Sequence, residues 1–266
     1  MKNDINKFLE FSNLLADEAK SISMKYFKKK FKIDNKLTKG FDPVTIVDVK
    51  IQKKLNRLVL HHFPNHSILG EEESFIKSGE FEWCIDPIDG TKSFIQGIPL
   101  WGTLISLSVR NQIILGLADI PALDERYIGY SNVSYKITKK KKEKLQVSKI
   151  KKLSEVSLNT TSPYVFANKN DQKDFERLSK KVRSTRLGGD CYSYCLLADG
   201  HVDMVVESGL KPWDIRALVP IIKNAGGVIN TWEGDEVFNG GRIIACSNNT
   251  LLKKSSSILK KKPSSK

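Results

Sequence analysis

An apolar run, Trp83-Cys-Ile, ends in two carboxylates, Asp86 and Asp89, with Pro87 and Ile88 between them and Gly90-Thr91 behind. Read as a strand, it delivers both acids to its own end. Pro87 fixes one backbone angle and Gly90 permits a sharp bend, so the two side chains can converge on one point. Such a point suits a hard cation. Mg2+ takes oxygen ligands from a few carboxylates, water and substrate phosphate, and the Ile88 carbonyl offers another. If Gly90 and Thr91 open a helical turn, their amides form an anion seat beside it. Taken alone, D-x-x-D-G is equally the pattern of an Asp-rich turn.

The surrounding chain reads as α/β. Ile5, Phe8, Leu9, Leu15, Ala19 and Ile22 follow a helical period, predicting a long opening helix that ends near the lysine run at 28–30. A second helix is expected from Asp48, with Ile51, Leu55, Leu58, Val59 and His62 on one face, until Pro64 stops it. Strands are expected at 67–69, 82–85, 104–109 and 112–118, the last two joined by a tight turn at Arg110-Asn111. Lys139–Lys142, with Glu143 and Lys144, marks a composition break. It divides the chain into an N-terminal α+β half, 1–140, and a C-terminal α/β half, 141–266. In the second half the order reads strand 155–159, helix 171–182, strand 184–187, helix 190–199, strand 202–207, helix 212–225, and strands 227–231 and 242–246. The tail KKSSSILKKKPSSK is expected to fray.

Composition narrows the function classes. Of 266 residues, 40% are apolar, enough for a sizeable core. Four scattered cysteines make no disulfide framework and no C-x2-C metal motif, so they read as reduced thiols in a cytoplasmic protein. No apolar stretch reaches about 18 residues, and neither a signal peptide nor a membrane span is expected. Four histidines lack metal-ligand spacing and read as surface or helix-face residues. No P-loop pattern occurs. The four tryptophans read as core or site-wall residues. The net charge of +14 could draw nucleic acid, but the lysines lie in runs at 28–30, 139–142 and 260–262 with few aromatics between. They read as solvated charge rather than a nucleic acid interface, which stays the non-enzymatic alternative.

Two further segments bear on the Asp86-Asp89 site: Leu69-Gly70-Glu71-Glu72-Glu73 upstream, and Lys211-Pro212-Trp213-Asp214 with Ala225-Gly226-Gly227 downstream. On the residues alone, Asp214 reads first as a capping or first-turn helix acid and a single Glu as a solvated one. In this order and spacing, however, GEE, D-P-I-D-G-T and W-D with a trailing A-G-G resemble the inositol monophosphatase family of Mg2+-dependent phosphatases, from Asp48 to about Ser247. The resemblance implies an αβαβα sandwich with the active site between two halves, and a homodimer. It implies Glu71, Asp86, Ile88 (by its carbonyl), Asp89 and Asp214 as ligands of two or three Mg2+ ions. Catalysis is implied for Glu71, and for Thr91 with Asp48, which position an attacking water. Gly90, Thr91 and Asp214 are implied to touch the substrate, a small phosphate monoester.

SFIQGIPLWGTLI, RLGGDCYSYCLLADGHVDMVVESGLKPWD and ALVPIIKNAGG are most similar to the histidinol-phosphatase branch, which acts in histidine biosynthesis on L-histidinol phosphate. Where the family more often shows W-D-x-A-A-G, this chain has Trp213-Asp-Ile-Arg-Ala-Leu-Val-Pro220, a departure that branch shares. The same alignment puts Asp190 and Glu207 at the substrate end, where two carboxylates suit a leaving group bearing an ammonium and an imidazole. Asp190 after Gly188-Gly189 is also a good helix N-cap, and Glu207 a plausible structural acid at a strand end. Arg186 could anchor either carboxylate or reach phosphate, and Lys92 could face phosphate or solvent. Inositol monophosphate and a 3'-phosphonucleotide are the alternative substrates.

Overall fold

A computed structural model describes residues 2–31, 33–35, 43–77 and 79–259 of the chain. Lys36 and Lys39 of the expected loop and the last seven residues of the basic tail lie outside them.

Two helices form the first layer: α1 (Lys2–Tyr26) and, after the short pair β1 (Ile33–Asn35) and β2 (Pro43–Thr45), α2 (Ile46–His62). Thr45 caps α2 in a reciprocal box. Its hydroxyl accepts from the Val47 N–H at 3.1 Å, while Asp48 accepts the Thr45 N–H at 2.8 Å. Next come β3 (Ser67–Gly70), β4 (Phe81–Asp89), α3 (Thr91–Gln96), β5 (Gly102–Val109), β6 (Gln112–Ile120), β7 (Glu125–Tyr130), β8 (Val133–Ile137) and β9 (Lys142–Lys144). Strands β3 to β9 pair in chain order as one seven-stranded sheet, antiparallel except for β3 on β4. Arg110-Asn111 turns the β5–β6 hairpin with φ of 47° and 64°, the doubly left-handed turn that matches strand twist, and Ser131-Asn132 repeats it at 45° and 63°.

The second half holds β10 (Ser157–Thr160), α4 (Lys169–Ser179), β11 (Ser184–Leu187), α5 (Asp190–Ala198), β12 (Met204–Leu210), α6 (Pro212–Ile215), α7 (Leu218–Asn224), β13 (Val228–Thr231), β14 (Gly241–Cys246) and α8 (Asn249–Leu259). Its sheet runs β11-β10-β12-β14-β13. Three apolar clusters define five layers. Phe11, Leu15 and Leu55 of α1 and α2 meet Trp83, Ile105 and Leu117 on one face of the large sheet. Leu104, Ala118 and Tyr127 on its other face meet Tyr194 and Cys195 of α5, Leu218 and Ile221 of α7, and Val205 and Ala245 of the second sheet. On the outer face Met204, Val206 and Ile244 pack on Phe175 of α4 and Leu251 of α8. The chain therefore has the layered αβαβα fold expected.

Several details depart from the sequence reading. The helix expected over 212–225 is broken into α6 and α7, because Pro220 has no N–H to bond the Arg216 carbonyl. The tail does not fray at once: Leu251, Ser255 and Leu259, four residues apart, bury one face of α8. Strands β7, β8 and β9 went unread, and the lysines at 139–142 lie at a hairpin whose edge strand is β9, where charge deters pairing with other chains. His66 is half-buried rather than freely exposed. It is stacked between Phe63 and Phe81, at centroid distances of 4.7 and 4.8 Å, and its Nδ1 accepts the Trp83 indole N–H at 3.1 Å.

That environment fixes the sign of a pH effect. Burial, then Lys7, pushes the His66 pKa down to about 4, so the fold favours neutral imidazole. Stability from this group is full above the unfolded-state value of about 6.5 and falls as pH drops from there toward 4. An NMR titration should find His66 protonating near pH 4; a midpoint near 6.5 would contradict the stacked, acceptor role.

Candidate active site

The two carboxylates of β4 share a side because the strand is bulged. Asp86 stands opposite Leu104 and Asp89 opposite Gly102, so three steps on β4 match two on β5. In a regular strand, residues three apart face opposite ways; the extra residue turns Asp89 back toward Asp86. The expected role of Pro87 and Gly90 is thus secondary. Pro87 sits in the bulge, where a missing N–H costs no ladder bond, and its carbonyl accepts from the Thr103 hydroxyl at 2.9 Å. Asp86 is held by the Ile88 N–H at 3.0 Å.

Asp214 completes the cluster from α6. One oxygen of each of Asp86, Asp89 and Asp214 lies within 4.8 Å of the others. Asp214 accepts the Lys211 N–H at 2.7 Å, and Asp89 accepts the Cys191 N–H at 2.7 Å. These acids line a cavity of about 240 Å³ together with Glu71, Asp190 and Glu207, and Lys92 is the lone cation on that wall among the described residues. Burial, then neighbouring acids, drives Asp86 and Asp89 well above the usual carboxylate range, and burial lifts Asp214 to about 7. Cys191 also lines the cavity, but burial keeps its thiol protonated. The donor set is therefore oxygen only, crowded and short of positive charge, which fits a hard divalent cation and not a soft one.

The structure brings together most, not all, of the residues singled out from the sequence. Glu71, Asp86, Ile88, Asp89, Gly90, Thr91, Asp190, Glu207 and Asp214 all line the cavity. Gly90 and Thr91 do open α3, with Gly90 at φ 80°, and the Thr91 hydroxyl donates to the Ile88 carbonyl at 3.0 Å. Asp48 lies behind the wall, bonded to Thr45 rather than to Thr91, and burial with Glu72 and Glu71 nearby lifts it to about 7. Arg186 stands exposed on β11, outside the lining. Asp190 does not cap α5: Gly189 is the N-cap, while Asp190, at φ 44°, accepts the Ser93 hydroxyl at 2.9 Å. Thr161, Tyr194 and Ser93 were missed. Tyr194 had a readable signal, four residues after Asp190 on the same helix face.

The sequence profile of the inositol monophosphatase family matches residues 4–262. The chain belongs to this family. The bifunctional phosphatase IMPL2, chloroplastic, of Arabidopsis thaliana is 43% identical to it over 87% of this chain and 66% of its own length. A histidinol-phosphatase of Chlorobaculum parvum is 30% identical over 91% of this chain and 93% of its own. A solved inositol monophosphatase from Zymomonas mobilis superposes with a TM-score of 0.86 at 32% identity, covering 96% of this chain and 98% of that one. As an inositol monophosphatase family member, the chain is a metal-dependent phosphatase. No helix among the described residues is long and apolar enough to cross a membrane.

Within this family the chain's departure at Arg216 gains a physical role. Arg216 is buried, pairs with Glu82 of β4 at 2.6 Å, donates to the Phe238 carbonyl at 2.7 Å and lies 3.6 Å over the Phe238 ring. It ties α6, which carries Asp214, to β4, which carries Asp86 and Asp89. Arg216→Ala is expected to destabilise the protein by about 2 kcal/mol, because it strands a partly buried carboxylate. It should also weaken metal affinity, read by isothermal titration; unchanged affinity would show that the clamp does not set the site.

Proposed function

We propose that this protein hydrolyses L-histidinol phosphate to L-histidinol and phosphate in histidine biosynthesis, with Mg2+ as the working ion. The supporting observation is the charge of the cavity wall: among the described residues, six carboxylates against Lys92. Two divalent ions offset four of those charges, and a phosphate dianion returns two, so the site still favours a positive leaving group. An alkyl chain with an ammonium and an imidazole meets that condition; a neutral polyol does not. The match to the Chlorobaculum parvum histidinol-phosphatase over 93% of its length supports the same choice.

In this reading residues 1–140 bring Glu71, Asp86, the Ile88 carbonyl and Asp89 to the metal, and residues 141–266 bring Asp214 and the leaving-group acids. Divalent cations held there supply Lewis-acid charge to water and phosphate. Thr91 orients the attacking water, with Glu71 beside it, and Asp48, fixed by Thr45 and outside the cavity lining, acts only at second hand. The Gly90 and Thr91 amides at the head of α3 face the phosphate oxygens. Asp190 and Glu207 hold the leaving group. The four buried, unbridged cysteines suit a reducing compartment such as the cytoplasm. A homodimer is the expected assembly.

Phosphate release should be compared on L-histidinol phosphate, inositol 1-phosphate and adenosine 3',5'-bisphosphate with Mg2+. The first should be cleaved most efficiently; efficient release from the inositol ester alone would refute the substrate. EDTA should abolish turnover on every ester, and Asp86→Asn should lower kcat by at least about a hundredfold with the fold intact. Near-normal activity in either case would remove the metal assignment.

A further inference from the structure

Glu207 is 3% exposed, yet neither of its oxygens is left bare. One accepts the Thr161 N–H at 2.8 Å, from the segment after β10; the other accepts the Tyr194 hydroxyl at 2.9 Å, from α5. Tyr194 is itself 1% exposed, its ring in the apolar layer between the sheets and its edge on the cavity wall. The backbone donor fixes where Glu207 sits. The phenol fixes how the carboxylate is rotated about that point.

The same helix sets the second acid. Asp190 and Tyr194 lie one turn apart on α5, and Asp190 is locked from the opposite side by the Ser93 hydroxyl of α3 at 2.9 Å. A Cβ on Gly90 would stand 3.0 Å from the Asp190 carboxylate, so its range of motion is small. Glu207 reaches the wall by strand alternation, on the same face of β12 as Val205, and is the last residue in regular register: it pairs with Ile243, whereas Leu210 pairs with Gly241, with Gly209 at φ 89° in between. Beyond Glu207 the ladder is irregular and gives little stiffness, and the phenol supplies it.

We propose that Tyr194 is a specificity-determining positioning residue, which holds Glu207 in the orientation that receives a cationic leaving group and does not itself touch the reacting atoms. This rests on the cationic-ester reading above. A buried tyrosine also satisfies its hydroxyl for packing reasons alone. The two roles part in kinetics: a packing role affects all esters alike, whereas a positioning role affects the ester whose charge Glu207 meets.

The test compares steady-state kinetics on L-histidinol phosphate and inositol 1-phosphate for the wild type, Tyr194→Phe, Glu207→Gln and the double variant, with saturating Mg2+. In Tyr194→Phe, KM for the cationic ester should rise about tenfold, and the kcat/KM ratio between the two esters should fall by about the same factor. In the double variant that ratio should equal the Glu207→Gln value, because the phenol acts only through the carboxylate. Equal losses on both esters, or a further fall of the ratio in the double variant, overturn the inference. Should Tyr194→Phe fail to fold with a bare buried charge, Tyr194→His, which still donates to the carboxylate but from another position, decides by the same ratio: a fall supports the inference and an unchanged ratio overturns it. A wild type that does not prefer the cationic ester overturns the substrate reading itself, and the wild-type data alone reveal it.

Discussion

The site depends on mutual repulsion held in check by the backbone. Asp86, Asp89 and Asp214 place carboxylate oxygens within 4.8 Å of one another in a buried setting, where each ionised group disfavours the next. A chain free to relax would spread them apart. Here each is tied by a main-chain N–H close by, from Ile88, Cys191 and Lys211 respectively, so the crowding persists and positive charge is the remaining relief. That enforced crowding is what suits the cluster to a cation.

The rest of the fold supplies those anchors. The β4 bulge turns two strand acids to one side, α6 brings the third from the other half of the chain, and the α5 and α7 layer packs between both sheets so that the halves share one core. Register shifts occur at matching places, between Asp86 and Asp89 in the large sheet and just beyond Glu207 in the small one, and both borders fall on the same cavity. The site is thus made where two sheets are each locally irregular, and the regular parts of both sheets hold the irregularities in register.

That construction explains which parts of the molecule could be read from its residues. Helices α1 and α2 and strands β3 to β6 were legible because apolar spacing follows the layer each element buries. Strand β7 was not, because Arg126 within it pairs with Asp119 of the neighbouring strand and charge interrupts the alternation. The α6–α7 break needed only Pro220, but its meaning depends on a hydrogen bond counted in three dimensions. The acids that converge on the cavity were legible through motif order, whereas the bulge that unites Asp86 with Asp89 is a register difference between strands and leaves no mark in one of them. Thr161 and Ser93 act through partners 46 and 97 positions distant, and pairwise contact of that kind has no local pattern; Tyr194 shares a helix face with Asp190, but its bond to Glu207, 13 positions on, is equally unmarked.

The charge of the whole chain and the charge of the site have opposite signs, and the two act over different distances. An excess of 14 positive charges draws phosphate toward the molecule, with a reach set by a screening length of about 8 Å at physiological salt. Inside the cavity six carboxylates prevail at contact range over Lys92, the one cation on the wall among the described residues. A uniformly anionic polymer satisfies the first field and is opposed by the second beyond the phosphate seat. In the function proposed above, a small ester with a phosphate at one end and a cation at the other would be drawn by the exterior and received by the wall, whereas a neutral leaving group would make use of the first field alone.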